Sequence, residues 1–329
     1  MIYRPIIIVA GEPNSIFFEI YFKTLKIKKF KSPIIIIASK DLLKMQMKKL
    51  NVKKKIKLLD VVKLEEYKLD NKLINLINVK YNTSKAFEKI SSKSNQYIEN
   101  SFNLAIKILN KKITNKFING PISKKFFLKK KFLGVTEYLA HKTKTKNFAM
   151  LIYNKDLSVV PITTHLPLKQ VSKKINKRLL IQKIKLIHSF YKKYIGKQPN
   201  IGITGLNPHC ESVDLYNEDE KILKPALKYL SKMKYKVSGP FAADTIFLKR
   251  NRKKFNVIVG MYHDQVLTPI KTLYEYDAIN ITLGLPFIRI TPDHGPNQKM
   301  LGKNLSNPLS LLKALQFLDS KKWLKLKKV

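Results

Sequence analysis

Short apolar runs separated by polar segments repeat along the whole chain. The runs have the length of buried strands, and in several of the segments between them apolar residues recur at helical spacing, as in Ser101–Leu109 and Arg178–Tyr191. This alternation predicts an α/β fold with a largely parallel sheet. The predicted strands are Pro5–Ala10, Pro33–Ala38, Lys116–Asn119, Phe148–Tyr153, Leu157–Thr163, Asn200–Gly205, Phe255–Gly260 and Ala278–Leu283.

Length and composition indicate a soluble protein with more than one core. The chain has 329 residues and is 44% hydrophobic, which is enough for two ordinary domains. Its single cysteine, Cys210, excludes an internal disulfide and suits a reducing compartment. No apolar stretch has the length of a membrane span, and the N-terminal PIIIVAG is too short for a signal-peptide core. We therefore expect a cytoplasmic protein with no membrane partner.

The formal net charge of +43 suggests a polyanionic partner, but its distribution favours another interpretation. All but five of the 65 basic residues are lysines, whereas nucleic-acid readers use arginine where bidentate geometry matters. The lysines are spread from Lys23 to Lys328 and form no single basic arm. We predict solvated lysine faces and no specific nucleic-acid partner.

Three histidines follow predicted strands, each in a short polar segment. They are His165 in T-T-H-L-P, His209 in L-N-P-H-C and His263 in M-Y-H-D-Q. Three imidazoles that converge from separate strands would form a metal site with open coordination positions, as a catalytic metal needs. The spacings of 44 and 54 residues exclude a local finger motif, so the fold must assemble such a site. The alternative for each histidine is an ordinary polar residue with satisfied hydrogen bonds.

Two cations, Lys271 and Arg289, differ from the surface lysines because they lie among apolar residues. An arginine enclosed by Phe287, Ile288 and Ile290 needs an anionic partner, and we predict that a carboxylate or phosphate of a ligand supplies it. The alternative for both cations is a solvated charge at the end of a helix or strand. No G-x-G-x-x-G opens a helix, so a standard Rossmann nucleotide site is not expected.

A series of motifs gives the chain a resemblance to a known enzyme family. In chain order they are GEP, NGPISK, G-x-TE, THLPL, GLNPH, GP-x-x-ADT, YHDQ, NITLGLPFIR and DHG, and they span Gly11 to Gly295. The set resembles the 4-hydroxythreonine-4-phosphate dehydrogenases of pyridoxine biosynthesis, with NITLGLPFIR and YHDQ together the most specific part. The resemblance implies two α/β/α domains with a cleft between them, as in isocitrate and isopropylmalate dehydrogenases. It assigns residues 1–130 and 290–329 to the first domain, and residues 131–289, with the three histidines, to the second.

The same resemblance implies the reaction and the residues that take part in it. Members of the family oxidise the 3-hydroxyl of 4-phosphooxy-L-threonine with NAD, and loss of carbon dioxide then gives 3-amino-2-oxopropyl phosphate for pyridoxal 5'-phosphate biosynthesis. They are homodimers with the active site at the subunit interface. The implied ligands of a divalent metal (Zn, Mg, Mn or Co) are His165, His209 and His263. The implied substrate contacts are Thr136, Lys271, Asn280 and Arg289. Cofactor contacts are expected in the GEP and DHG motifs, at Glu12, Asp293, His294 and Gly295.

Proton transfer in this reaction needs a group that can act as a general base. Asp244, in the A-D-T motif, and Lys271 are the predicted catalytic residues, and Lys124 is an alternative that the sequence leaves open. Asp264 lies next to His263 and could orient that imidazole.

Departures from the family pattern fall in loops that are expected to contact ligands. Ser15 and Phe17 replace glycines after G-E-P, Val135 stands where the family has histidine, and Pro296 follows D-H-G. Cys210 follows the N-P-H motif and is interpreted as a small packing residue, the alternative being a metal-binding thiolate.

Two other functions of the protein remain open. One is a related dehydrogenase of another phosphorylated hydroxy acid, such as 4-phospho-D-erythronate. The other is a basic binding protein on a decayed enzyme scaffold.

Overall fold

A computed structural model of the protein describes residues 3–129, 131–212, 216–292, 294–320 and 323. The chain folds into two compact units. Unit 1 is formed by Met1–Tyr138 and Pro286–Val329, and unit 2 by Leu139–Leu285. Both units combine helices with strands, which confirms the predicted α/β class.

The helices and strands alternate along most of the chain. The first nine are β1 (Ile6–Val9), α1 (Phe17–Ile27), β2 (Ile34–Ala38), α2 (Lys40–Lys49), β3 (Ile56–Leu58), β4 (Ile74–Asn78), α3 (Asn95–Asn110), β5 (Lys116–Asn119) and α4 (Val135–Lys142), and α4 crosses from unit 1 into unit 2. Then follow β6 (Ala149–Tyr153), β7 (Ser158–Pro161), α5 (Val171–Lys174), α6 (Lys177–Phe190), β8 (Ile201–Thr204), α7 (Lys224–Lys232), β9 (Val237–Phe241), α8 (Ala243–Ile246), α9 (Lys249–Arg252), β10 (Val257–Gly260), α10 (His263–Tyr274) and β11 (Ile279–Leu283). The last elements are β12 (Ile288–Pro292) and α11 (Leu309–Leu318).

Single 3₁₀ or π-helical turns connect several of these elements. They are Ser92–Ser94, Lys124–Leu128, Leu168–Gln170, Tyr191–Ile195, Pro208–Cys210, Asp219–Leu223 and Gln298–Met300.

The strands of unit 1 run in the order β3-β4-β2-β1-β5-β12, and every neighbouring pair is parallel. The central strands IIIV and IIIIA are buried along their whole length. Uninterrupted isoleucine runs suit this position because a parallel strand covered on both faces has no polar side. Parallel pairing also brings the carboxyl ends of the strands, with the loops that follow them, to one edge of the sheet.

The strands of unit 2 run in the order β11-β6-β7-β10-β8-β9. β6 is antiparallel to β11 and to β7, whereas β7, β10, β8 and β9 are mutually parallel. A buried cluster that includes Val159, Ile258, Val266 and Ile270 packs α10 against this sheet. The loops after β7, β8 and β10 therefore begin at the same edge, and these are the loops that carry the three histidines.

The alternating pattern located these elements well. All eight predicted apolar runs are strands, and the two predicted helical stretches lie in α3 and α6. The prediction omitted β3, β4, β9 and β12. Among the helices that the structure describes, none is both long and apolar enough to cross a membrane.

Candidate active site

Two of the three histidine loops meet at the edge of the unit 2 sheet. β7 and β10 are paired in parallel, and beyond them Thr163 Oγ1 donates to the carbonyl oxygen of Met261 at 2.7 Å. This bond continues the strand pairing into the loops. In these loops the ring centroids of His165 and His263 lie 5.9 Å apart, and the two ring planes are tilted by 38°.

Asp264 holds the imidazole of His263 from the side. Its Oδ1 lies 2.6 Å from His263 Nδ1. A carboxylate can only accept here, so Nδ1 carries the proton and Nε2 is the nitrogen with a lone pair to offer. Such a carboxylate–histidine contact is the usual support of a metal-binding imidazole. The interpretation of Asp264 as the residue that orients His263 agrees with this contact.

His209 follows β8 in the 3₁₀ turn Pro208–Cys210 and is exposed. Its backbone is left-handed, with φ 54°. Within the described part of the chain, no group of three or more His, Cys, Asp or Glu side chains is arranged to hold a metal ion. The structure thus places two of the three predicted ligands side by side and puts the third on the neighbouring loop.

A cavity of about 610 Å³ opens beside these loops. It is lined by neighbours of the three histidines, among them Leu168, Leu206, Asn207 and Tyr262, and by Glu218, and none of the three histidines is among its lining residues. The volume falls in the range that holds small-molecule ligands.

Lys271 and Asn280 have the properties of ligand-contacting groups. Lys271 lies on α10, eight residues beyond His263, and is half-buried. Burial lowers the pKa of its amine. Asn280 lies on β11, and its Oδ1 is a buried acceptor that no donor of the described residues reaches. A buried acceptor without a donor is costly, so a ligand donor at this position would remove that cost.

The candidates for proton transfer lie in different surroundings. Asp244 is exposed in the first turn of α8, and Lys124 is exposed at the start of the turn Lys124–Leu128. Lys271 is the half-buried member of this group, and it shares α10 with His263.

Arg289 and Thr136 are brought together in unit 1. Arg289 lies on β12 and is 2% exposed. Its Nε donates to Asn119 Oδ1 at 2.7 Å, and its Nη1 donates to Thr136 Oγ1 at 3.2 Å. Burial lowers the pKa of the guanidinium, and the charge of Glu137 opposes that shift. Glu137, the residue after Thr136, therefore supplies a negative charge near this arginine.

Glu12 is turned into the protein and holds its own loop. The side chain is 2% exposed. One carboxylate oxygen accepts from the backbone N–H of Asn14 at 3.2 Å, and the other from Ser94 Oγ at 2.9 Å. Burial raises the pKa of this carboxyl. Ser15, in the same loop, and Phe17, the first residue of α1, replace glycines of the family pattern, and both are buried.

The loop after β12 lies against this N-terminal loop. The backbone N–H of Ile16 donates to the carbonyl oxygen of Pro296 at 3.2 Å. His294 Nδ1 lies 3.0 Å from the carbonyl oxygen of Gly295, while its Nε2 is buried and meets no partner among the residues described. Burial lowers the pKa of this imidazole. Three cofactor candidates, Glu12, His294 and Gly295, therefore lie on two adjoining loops; Asp293 lies outside the described residues.

Gln265 is a structural link that the sequence did not reveal as such. Its Oε1 accepts from the backbone N–H of Met261 and from Thr204 Oγ1, each at 2.7 Å. Its Nε2 donates to the carbonyl oxygen of Gly205 at 2.8 Å. Gln265 thus ties the end of β8 to the end of β10. Its place in Y-H-D-Q was a signal, but only the structure gives it a role.

The α/β fold of the chain is similar to that of isocitrate dehydrogenase. The structure of isocitrate dehydrogenase from Methylococcus capsulatus resembles this one with a TM-score of 0.51 at 8% sequence identity, over 96% of this chain and 84% of that chain. At this identity the likeness shows the fold alone.

The family is given by closer relatives. The family model of pyridoxal phosphate biosynthetic protein PdxA matches residues 29–318, and the chain belongs to this family. The 4-hydroxythreonine-4-phosphate dehydrogenase of Sulfurihydrogenibium sp. (strain YO3AOP1) is 38% identical over 94% of this chain and 95% of its own length. The solved structure of a 4-hydroxythreonine-4-phosphate dehydrogenase from Burkholderia phymatum has a TM-score of 0.79 at 26% identity, over 96% and 98% of the two chains.

A further relative carries a different substrate in its name. A protein of Oceanobacillus iheyensis, provisionally named as a D-threonate 4-phosphate dehydrogenase, is 34% identical over 70% of both chains. The resemblance inferred from the motifs is therefore confirmed at the level of the family, and the chain is an enzyme of the oxidoreductase class.

Proposed function

We propose that the protein oxidises 4-phosphooxy-L-threonine with NAD and a divalent metal, and that the product loses carbon dioxide to give 3-amino-2-oxopropyl phosphate. The pairing of the His165 and His263 rings, with His209 on the neighbouring loop, is the observation that supports this most directly. In this reaction the hydrogen on C3 leaves as a hydride to the nicotinamide and the hydroxyl loses its proton. The carboxylate then leaves as carbon dioxide, and the carbon that held it takes up a proton.

The proposed metal ligands are His165, His263 and His209. The first two fit a metal through their close placement and through Asp264, which leaves Nε2 of His263 to coordinate. A metal bound here would act as a Lewis acid on the substrate oxygen. We propose that His209 completes the set and that the chain works as a homodimer with its active site at the subunit interface.

The remaining roles are assigned to residues of the family motifs. Thr136, Lys271, Asn280 and Arg289 contact the substrate. Lys271 also moves the proton in this scheme, since a lowered pKa makes an amine a better base near neutral pH, and Asp244 is the second candidate. The cofactor is held by the loops that carry Glu12, Asp293, His294 and Gly295. Because Glu12 already accepts two internal bonds, its proposed part is to shape the loop.

A second candidate reaction is the oxidation of another phosphorylated hydroxy acid, such as 4-phospho-D-erythronate or D-threonate 4-phosphate. Val135 favours it, because this apolar side chain directly precedes Thr136, at a position where the family pattern has a polar histidine. The relative from Oceanobacillus iheyensis, which is 34% identical to this chain, is named for such a substrate, D-threonate 4-phosphate.

The test is NADH production by purified protein with each of the three phosphorylated acids, NAD and a divalent metal. Turnover of 4-phosphooxy-L-threonine should be abolished by chelator and by His209→Ala. It should persist in His188→Ala, because His188 lies on α6 against Tyr235, away from the histidine loops. Faster turnover of another acid would favour the second candidate. No turnover of any of them by a folded, metal-loaded protein would refute both.

A further inference from the structure

Asp219 is a fully buried carboxylate that binds the loop carrying His209. It is 0% exposed and begins the π-helical turn Asp219–Leu223. Its Oδ1 accepts from the backbone N–H of Leu206 at 2.8 Å. Its Oδ2 accepts from the backbone N–H of Asn207 at 3.1 Å and from Asn207 Nδ2 at 3.0 Å. Three N–H groups of two consecutive residues thus converge on one carboxylate.

The turn that this carboxylate holds has an unusual backbone. His209 and Cys210 are consecutive left-handed residues, with φ 54° and 64°. Residues with a side chain rarely adopt this conformation, so it persists only where the surrounding structure imposes it. Residues 206–213 include no glycine, so the constraint must come from outside the turn.

Close packing shows where the constraint acts. A Cβ added to Gly205 would lie 2.7 Å from Cys210 Sγ and 2.9 Å from Asp219 Oδ1. The turn is therefore folded back onto the strand end and onto Asp219, with room only for a glycine between them. Gln265 fixes the other side of the same glycine through its bond to the Gly205 carbonyl. The loop is held at its start by Gln265 and in its middle by Asp219.

We infer that Asp219 is a positioning residue for the site: its carboxylate holds Leu206 and Asn207 and so fixes the direction of the His209 imidazole. The inference rests on the proposed function only in that it takes His209 to serve the reaction. Asp219 acts through the backbone and reaches His209 by way of Asn207 and Pro208.

The test compares Asp219→Asn with Glu220→Gln. The first change replaces one acceptor oxygen by an NH₂ group, so a donor of the loop then faces another donor. Glu220 is the matched control, since this exposed carboxylate lies on the same turn and its Oε1 accepts from Lys224 Nζ at the surface. Asp219→Asn should lower kcat by roughly 10- to 100-fold with KM for NAD nearly unchanged, whereas Glu220→Gln should keep wild-type kcat.

A second readout needs neither substrate nor metal. Cys210 is the one cysteine of the chain, so the rate of its alkylation by iodoacetamide reports on this turn alone. Burial raises the pKa of the thiol, and the Asp219 charge adds to that shift. The rate is therefore compared at a pH high enough to ionise the thiol in every variant. Asp219→Asn should react about 10-fold faster than Glu220→Gln, because thiol reactivity follows access once ionisation is equal.

The outcomes separate this inference from the proposed function. If the wild type turns over and Asp219→Asn keeps its kcat, Asp219 does not position the site. If the wild type oxidises none of the substrates, the proposed function fails, and the alkylation rate alone decides whether Asp219 holds the turn. Should Asp219→Asn not fold, hydrogen exchange of the Leu206 and Asn207 amides in the wild type decides instead. Slow exchange supports the bonds to Asp219, and exchange at the rate of a free amide contradicts them.

Discussion

Arg289 is a buried guanidinium whose surroundings come from distant parts of the chain. Asn119 Oδ1 accepts from Arg289 Nε at 2.7 Å and from Thr291 Oγ1 at 3.1 Å, and Asn119 is itself fully buried. One amide oxygen therefore accepts from two donors, a buried one of Arg289 and a half-buried one of Thr291. A buried donor that loses its acceptor raises the free energy of the folded state, because it has no water to bond to instead.

Asn119→Ala should lower the free energy of unfolding by about 1–3 kcal/mol, because it leaves Arg289 Nε and Thr291 Oγ1 without this acceptor. Urea unfolding of the variant and the wild type measures the difference. The control is Asn110→Ala, which removes an exposed asparagine at the end of α3 and should change little. Equal midpoints for Asn119→Ala and Asn110→Ala would show that the buried amide contributes nothing.

Lys116 is a second buried cation, at the beginning of β5. It is 2% exposed, and its Nζ donates to Ser32 Oγ at 3.1 Å and lies 5.9 Å from the centre of the Trp323 ring. Burial lowers its pKa from 10.5 to about 8, and the charge of Asp319 only partly opposes this. At neutral pH the folded protein therefore carries a charge whose burial is unfavourable.

The stability of the protein should depend on pH through Lys116. Between pH 8 and 10.5 the unfolded chain holds this proton and the folded chain does not, so this residue's contribution to stability rises with pH across that window. Below pH 8 both states are protonated and the unfavourable contribution is complete. Lys116→Met should remove the rise, whereas Lys107→Met, an exposed change on α3, should retain it. Urea unfolding from pH 7 to 10.5 tests this, and parallel curves for Lys116→Met and the wild type would contradict it.

At the scale of elements, the antiparallel pair β11 and β6 depends on close backbone approach. Gly284 follows β11 with φ 91°, and an added Cβ would lie 2.3 Å from the carbonyl oxygen of Asn147, just before β6. No side chain fits at that distance. Gly196 also has a positive φ, 82°, but a Cβ there would meet nothing within 4 Å. The two glycines separate the effect of backbone angle from the effect of close approach.

Gly284→Ala should destabilise the protein by about 2–4 kcal/mol, since the methyl group forces the strands apart and the backbone angle is strained. Gly196→Ala should cost about 1 kcal/mol, from the backbone angle alone. Chemical unfolding of both variants gives the comparison. A Gly284→Ala variant no less stable than Gly196→Ala would mean that the strand ends move apart without cost.

At the scale of the whole molecule, the net charge of +43 dominates the electrostatics. Like charges at this density repel one another and oppose the compact state. The surface between α2 and β3 is an example: a groove there is lined by Lys40, Lys44, Lys48, Lys54 and Lys55. The family of the chain does not require these lysines to bind a polyanionic partner. We still interpret them as solvated surface charges.

Salt should stabilise the folded protein by screening this repulsion. Raising potassium chloride from about 0.01 to 0.15 M shortens the screening length to roughly 8 Å. Tm should then rise by roughly 1.5–3 °C, equivalent to about 1–2 kcal/mol for a chain of this size. A variant with Lys40, Lys44, Lys48 and Lys55 changed to Gln should show a smaller rise. A Tm that stays constant or falls with salt would refute the repulsion argument. Calorimetry at matched protein concentration provides the measurement.

The sequence by itself determined the positions of eight strands, the α/β class and the family. Apolar runs such as IIIV and IIIIA predict buried strands because periodicity and hydrophobicity report on the burial of a single element. The four omitted strands had weaker signals: IKL and INLIN are short or interrupted by polar residues, VSGPF contains glycine and proline, and IRITP includes a charge. The predicted domain boundaries, 130/131 and 289/290, came from the resemblance to the enzyme family. In the structure, the two compact units divide the chain at Tyr138/Leu139 and Leu285/Pro286.

Only the tertiary structure decided how the polar groups are paired. Arg289 meets Asn119 across 170 residues of sequence, and Glu12 meets Ser94 across 82. Asp219 lies in no recognised motif, yet it binds the loop of His209. A hydrogen bond depends on two groups that come within about 3 Å through the packing of separate elements, and no local pattern encodes that distance. Burial of apolar faces can therefore be predicted one segment at a time, whereas the partners of buried polar atoms are defined only by the completed fold.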